Sequence, residues 1–368
     1  VNELYSPLHS LQSGRWFKLI CGASYQHLPS ARNLALAYAL AGADCIDVAA
    51  DPAIVAAVRT ALHDSRTLAP QARARGYAPE RSPWLMVSLN DGEDPHFRKA
   101  EFDATQCPPD CPRPCERVCP AGAIAFGSAE GEASGVIDCR CYGCGRCWPA
   151  CPSQLIFART YVSTPESAAA LIASQQVDAL EIHTQVGRLA NFRRLWRGIA
   201  PHRDRLQLIA ISCPDGPHLI DYLRALYETV SPLSCPLIWQ TDGRPMSGDL
   251  GKGTTQAAIK LAQKVLAAQL PGTVQLAGGT NAYTAVKLRA LDLLGTLDSQ
   301  ASGVAYGSYA RALIAPLLAE LETRCDRASE PPHLENHPDL LWQAVARAHS
   351  LVSPLKSPIP RSLLTLNS

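Results

Sequence analysis

The chain has 368 residues, 47% hydrophobic and 18% charged, which is enough to bury a large core as one big α/β domain or two smaller ones. Lys+Arg number 34 against 33 Asp+Glu, and a formal charge of +1 argues against a strongly basic nucleic-acid binder and against a polybasic membrane tether. No apolar run approaches the ~20 residues of a membrane span, and the opening VNELYSPLHS lacks a basic region followed by an apolar stretch, so a soluble, cytoplasmic protein is expected.

In chain order, WFKLICGA (16–23) reads as a strand, ARNLALAYALAG (31–42) as a helix ending on Gly42, and ADCIDVAA (43–50) as a second strand. Asp51-Pro52 supplies an N-cap and a favoured first helical position for PAIVAAVRTALH. A polar, Arg-rich stretch (64–82) follows, then a third strand, PWLMVSLN (83–90). The alternation stops there and resumes with a helix start at Thr164-Pro165-Glu166. Further strands are expected at 179–185, 206–213, 235–242, 273–279 and 302–308, with helices near 189–199, 217–229, 254–268, 282–294 and 309–324. Eight strands, each followed by a helix, imply parallel pairing and closure into a (β/α)₈ TIM-like barrel, favoured over a doubly wound open sheet because the count closes at eight. The expected organisation is three βα units over 1–90, an insert over 91–163, the rest of the barrel over 164–325, and a Pro-rich C-terminal extension with one short helix over 326–368.

Cysteine is the outlier. Of 14, nine fall between Cys107 and Cys151, whereas Cys21, Cys45, Cys213, Cys235 and Cys325 stand singly and read as small buried thiols. One dense cluster in a reducing compartment points to metal or Fe–S ligation. Cys141-x₂-Cys144-x₂-Cys147-x₃-Cys151-Pro152 has the bacterial ferredoxin spacing, in which three thiolates curl around one cubane and the fourth serves the other cluster. Gly143 and Gly145 are expected to let the backbone approach the inorganic sulfides. The first half, Cys107-x₃-Cys111-x₃-Cys115-x₃-Cys119-Pro120, matches in its last two ligands and proline, and VCPAGAI (118–124) repeats as ACPSQLI (150–156). Zinc would want two Cys pairs around a tetrahedral site, whereas this run crowds four thiolates within eleven residues.

The segment resembles a two-cluster bacterial ferredoxin. The resemblance implies one [4Fe–4S] on Cys119, Cys141, Cys144 and Cys147 and a second cluster on Cys107, Cys111, Cys115 and Cys151. The stretched gaps leave open whether the second keeps four irons or holds a [3Fe–4S] core, and Cys139 is either a silent thiol or a substitute ligand. An insert after strand three would lie on the C-terminal face of the barrel, where such barrels bind ligands.

At that mouth, Gly278-Gly279-Thr280 and Gly307-Ser308 occupy the loops where these barrels bind phosphate. SGDLGKGTTQAAIKLA (247–262), LAGGTN (276–281) and ASGVAYGSYAR (301–311) resemble flavin barrels of the dihydroorotate/dihydropyrimidine dehydrogenase type, which implies FMN or phosphate at Gly278, Gly279, Thr280, Gly307 and Ser308. Two departures argue against a working dehydrogenase. Ala210 stands near the place of the strand-five Lys, and HTQVGRL (183–189) replaces the Asn-rich loop with its catalytic Cys or Ser. Lys252 reads as a solvated or anion-facing lysine in a loop that is not a P-loop, and His183 and Asp242 as polar mouth residues.

Over its whole length the chain resembles the cyanobacterial light-dependent period (LdpA) family of Fe–S clock-input proteins, carried by the cysteine block, its place after LMVSLNDG, and the LAGGTN and GSYARAL segments. The resemblance implies a redox sensor that adjusts clock period to light, associated with the clock oscillator and its input and output histidine kinases. Two other readings stand beside it: a flavin oxidoreductase fed through the clusters, and clusters that merely staple a Pro-rich insert.

Overall fold

The computed structural model describes residues 6–77, 79, 82–92, 97–119, 121–127, 134–141, 143–160, 165–174, 176–244, 253–325 and 332–356. Pro120, Thr164 and Lys252, singled out above, lie outside the described residues, as does 247–252 of the Gly-rich loop.

Eight parallel strands close into a barrel: β1 (Trp16–Gly22), β2 (Cys45–Ala49), β3 (Trp84–Asn90), β8 (Ala179–His183), β9 (Leu208–Pro214), β10 (Leu237–Asp242), β11 (Thr273–Ala277) and β12 (Gly303–Tyr306), with β12 pairing back onto β1. Four short strands, β4 (Arg98–Glu101), β5 (Ile124–Phe126), β6 (Ser134–Val136) and β7 (Phe157–Thr160), belong to the insert between β3 and β8. The helices are α1 (Pro7–Gln12), α2 (Leu28–Ala41), α3 (Pro52–Ala74), α4 (Pro114–Arg117), α5 (Cys147–Ala150), α6 (Pro165–Ala173), α7 (Leu189–Ile199), α8 (Leu219–Val230), α9 (Thr255–Leu266), α10 (Thr284–Ala290), α11 (Ser308–Arg324) and α12 (Pro338–Lys356). No helix among the described residues is long and apolar enough to cross a membrane.

Local chemistry sets the helix ends. Gly42 closes α2 in the left-handed region (φ 97°), its N–H returning to the carbonyls of Tyr38 and Ala39. Asp51 caps α3 through bonds from the amides of Ala53 (2.8 Å) and Ile54 (3.1 Å). That helix runs to Ala74, into the stretch expected to be polar connection, because Ser65, Ala69 and Ala72 continue its buried face. The tail also differs from the expected short helix. Helix α12 has 19 residues and buries Leu341, Val345, Ala348 and Val352 against α2 and α11. Every residue of α2 from Ser30 to Ala41 is therefore buried, with the barrel on one side and tail on another.

The lumen has two levels. Its N-terminal end is an apolar plug of Trp16, Cys45, Met86, Ala179, Leu208 and Ile238 beneath Leu11 of α1. Above it the filling turns polar and charged. Lys18 Nζ bonds Glu181 across the lumen, since β2 and β3 separate their strands, and lies 3.8 Å from Asp47 Oδ2. Gln240 Nε2 donates to Glu181 Oε1 (2.6 Å), Gln275 Nε2 to Gln240 Oε1 (2.6 Å), and Ser88 Oγ to Asp47 Oδ1 (2.8 Å).

Burial pushes the Asp47 carboxyl up to about 7 despite the Lys18 charge. Burial also opposes ionisation of Glu181, but Lys18 and the His183 bond outweigh it and hold Glu181 at about 2. The signs are opposite. The stability from Glu181 is present above its ordinary 4.5 and is lost as pH falls towards 2. Asp47 keeps a proton in the folded state that the unfolded chain has released above 3.8, so its contribution fades as pH rises through 7. Asp47→Asn is expected to flatten the decline between pH 4 and 7 in urea-melt stability, and an unchanged slope would remove Asp47 as its cause. Lys18→Met leaves two buried carboxyls without their cation and is expected to cost about 3–5 kcal/mol in the same assay. Adding Glu181→Gln should recover part of that loss.

Candidate metal centre

The insert leaves the barrel after β3 and closes where β4 pairs antiparallel with β7, Arg98 opposite Thr160 and Glu101 opposite Phe157. Each half places one short helix before its last cysteine: α4 before Cys119 and α5 before Cys151. Pro114 at the start of α4 and the tight turns around it bring widely spaced thiols within reach of one another.

The eight cysteines fall into two groups. Burial first, then the neighbouring thiols Cys144, Cys141 and Cys119, pushes the Cys147 thiol up to about 12. Cys144 is likewise raised by burial and then by Cys119 and Cys141. These four line one tight cavity, walled by Ala100, Ala123, Ile124 and Trp148. In the second group burial, then Cys151 and Cys111, raises Cys115; Cys107 is raised by burial, then by Cys111 and Cys115. Cys119 thus stands with the second half's thiols, and Cys151 with the first half's. Cys139 joins neither group by these contacts. It is exposed, and its carbonyl accepts the Gln26 amide (3.2 Å), which ties the insert to the barrel.

The donor set is all thiol, and backbone amides point at the sulfurs. Ala100 N–H donates to Cys141 Sγ (3.3 Å), Ala123 N–H to Cys119 Sγ (3.2 Å), and the Arg146 amide to Cys144. Such N–H···S bonds stabilise thiolate and tune a cluster's potential. Burial and mutual repulsion favour protonated thiols, so loading iron must release protons, and assembly is expected to weaken at low pH. The site fits an Fe–S cluster. The two glycines also answer a packing need. Gly143 (φ 69°) is packed so that a Cβ would sit 2.0 Å from the Arg98 carbonyl oxygen of β4, and Gly145 (φ 77°) so that one would sit 3.2 Å from the Trp148 ring. Both relieve crowding from protein atoms.

At the mouth, Gly278 and Gly279 are in the left-handed region, and a Cβ on Gly278 would meet Asp242 Oδ1 at 1.9 Å. Gly279 O accepts from Thr254 Oγ1 (2.7 Å), and Thr280 Oγ1 donates to Ala305 O (2.6 Å), so this turn is bound into its surroundings. Gly307 caps α11, whose first residue Ser308 accepts from Arg311 Nη2 (3.1 Å). His183 Nε2 lies 2.8 Å from Glu181 Oε1 and meets the edge of buried Phe97 at 5.3 Å between centroids.

Two family models match the chain: the LdpA Fe–S cluster-binding domain over residues 107–162 and the light dependent period A C-terminal domain over 171–354. Light dependent period A of Synechococcus elongatus is 51% identical over 354 residues, covering 96% of this chain and 94% of its own length. The chain belongs to the light dependent period A family. It is therefore an Fe–S-binding, clock-related protein built on a TIM-like barrel. Among solved structures, geranylgeranylglyceryl phosphate synthase of Thermoplasma acidophilum aligns at 10% identity and TM-score 0.41, covering 97% of this chain and 99% of its own. A tryptophan synthase structure of M. tuberculosis aligns at 12% identity and TM-score 0.42, covering 96% of this chain and 100% of its own.

Sequence reasoning missed Lys18, Glu181, Arg311 and Phe97. The first two had a signal: a lone charge inside an apolar strand run, FKLIC and LEIH, where burial demands a partner. Gly143→Ala adds both a clash and left-handed strain of about 1–2 kcal/mol. It is expected to lower iron per chain while the far-ultraviolet spectrum of the barrel stays the same, and full iron occupancy would refute the packing role.

Proposed function

We propose that this chain is an iron–sulfur redox sensor that relays cellular redox and light state to a circadian clock through contacts with the oscillator and its input and output histidine kinases. It holds two [4Fe–4S] clusters, one on Cys119, Cys141, Cys144 and Cys147 and the other on Cys107, Cys111, Cys115 and Cys151. The observation that carries the reading is the exchange of last cysteines between halves, since Cys119 lies close enough to act on Cys144 and Cys147, and Cys151 on Cys115. Two-cluster ferredoxins ligate in that crossed manner. Partial exposure of Cys107, Cys111 and Cys151 favours exchange of electrons with a soluble partner. Family membership supports the clock side. A flavin oxidoreductase draws less support, because Thr280 is engaged internally and Ala210 belongs to the apolar plug.

Anaerobically purified protein is expected to hold about eight irons per chain. Cys144→Ser should lower the count and leave the second cluster's electron paramagnetic resonance signal in place, and Cys151→Ser should do the reverse. A stepwise loss in the opposite order would reassign the ligands. Partner binding, titrated with the clock kinases at poised potentials, should differ between oxidised and reduced protein by about 1–3 kcal/mol. Equal binding in both states and in a cluster-free variant would reduce the clusters to structural staples.

A further inference from the structure

We propose that the indole N–H of Trp148 donates a hydrogen bond to a sulfide of the cluster on Cys119, Cys141, Cys144 and Cys147, and so raises that cluster's potential. This donor role rests on the ligand set proposed above. Trp148 follows Cys147 directly in α5 and forms part of the wall of the cavity that those four thiols line. Its Nε1 is buried and has no hydrogen-bond partner among the described residues. A buried indole N–H usually finds an acceptor, because leaving water without one is unfavourable. Were an apolar wall the whole requirement, Phe or Leu would fill this place without bringing a donor.

Packing fixes the ring. The Trp148 amide donates to the Gly145 carbonyl (3.3 Å), a tight turn that folds the side chain back over that glycine. A Cβ on Gly145 would lie 3.2 Å from Cζ3, 3.3 Å from Cε3 and 3.5 Å from Cη2, so the benzo edge of the indole rests there. The Arg98 guanidinium covers one face of the ring, 4.3 Å from its centroid. Arg98 is itself held in β4, with its carbonyl oxygen packed against Gly143. Neither contact engages the edge that bears Nε1.

The thiols of this group already take backbone donors: the amide of Ala123 serves Cys119, that of Ala100 serves Cys141, and that of Arg146 serves Cys144. The inorganic sulfides of a cluster offer further lone pairs, and the indole N–H is the side-chain donor placed in the wall beside them. Reduction adds one electron and makes or breaks no bond. The N–H therefore holds the more negative, reduced cluster more strongly than the oxidised one, which raises the potential.

The test uses the full-length protein, loaded anaerobically and reduced stepwise with dithionite, with iron per chain measured alongside. In protein carrying ¹⁵N only at tryptophan Nε1, pulsed electron paramagnetic resonance of the reduced cluster is expected to show a ¹⁵N coupling. Trp148→Phe keeps an aromatic ring between Gly145 and Arg98 but has no N–H, so the coupling should vanish while iron per chain stays the same. Reduction of that cluster should become about fivefold less favourable, a fall of about 40 mV at about 59 mV per tenfold for one electron. The midpoint of the other cluster should stay where it is, which a general loosening of the insert would not allow. A loaded cluster without ¹⁵N coupling, or an unmoved midpoint in Trp148→Phe, would overturn the proposal. If Trp148→Phe fails to hold iron, the coupling in the native chain decides alone. Low iron and no cluster signal in the native chain would strike the ligand set, and the donor role with it.

Discussion

The crossed grouping of thiols is the constraint on which the insert depends. Its apolar core is small: Ala100, Ala123, Ile124 and Ile156, completed by Cys115, Cys141 and Cys147 themselves. So few apolar side chains bury too little surface to offset the entropy of ordering the segment. Cys119 reaches into the second half's group and Cys151 into the first half's, so each group ties the two halves of the insert together. Burial and then neighbouring thiols raise Cys107, Cys115, Cys144 and Cys147, and iron relieves both by taking them as thiolates. Folding of the insert and loading of the clusters are in this sense one equilibrium.

The barrel accommodates the insert without strain because β3 and β8 are neighbours in the closed sheet, and the β4–β7 pair brings the two ends of the excursion together. Phe97, at the start of β4, is fully buried against His183, so the insert covers part of the mouth. Beneath it the lumen is occupied by its own ion pairs and amides, from Lys18 to Gln275.

Much of this was legible in the sequence. The eight strands were readable because each is a short, β-branched or aromatic run followed by a helix signal, and Asp51-Pro52 and Gly42 marked helix ends through known local chemistry. The cysteine spacing named the ligand type. What the sequence hid depends on contacts between distant residues. The continuation of α3 past residue 64 rests on a buried face of Ser65, Ala69 and Ala72 that looks polar when Arg66 and Arg73 are counted with it. Helix α12 looked like a tail because its Pro-rich flanks dominate the composition, although its apolar stripe packs on α2. The structural duty of Gly143 could not be read either, since the carbonyl it accommodates belongs to Arg98, far earlier in the chain.

The joint between insert and barrel is a network of buried and half-buried polar groups. Lys99, 2% exposed, donates to Asp138 Oδ2 (2.7 Å), to the Asp138 carbonyl (2.8 Å) and to Gln26 Oε1 (2.8 Å). Gln26 Nε2 continues to Asp51 (3.1 Å), the cap of α3. Arg159 closes the set on Glu101 (2.9 Å) and Asp138 (2.6 Å). The joint is thus a continuous network of two cations and three carboxylates with Gln26 between them, and its polar groups hold the insert in place. Under the proposed sensor reading, an electron added to either cluster changes the charge of an insert that this network ties to the barrel, so the redox state would be read as a change in charge against a fixed scaffold.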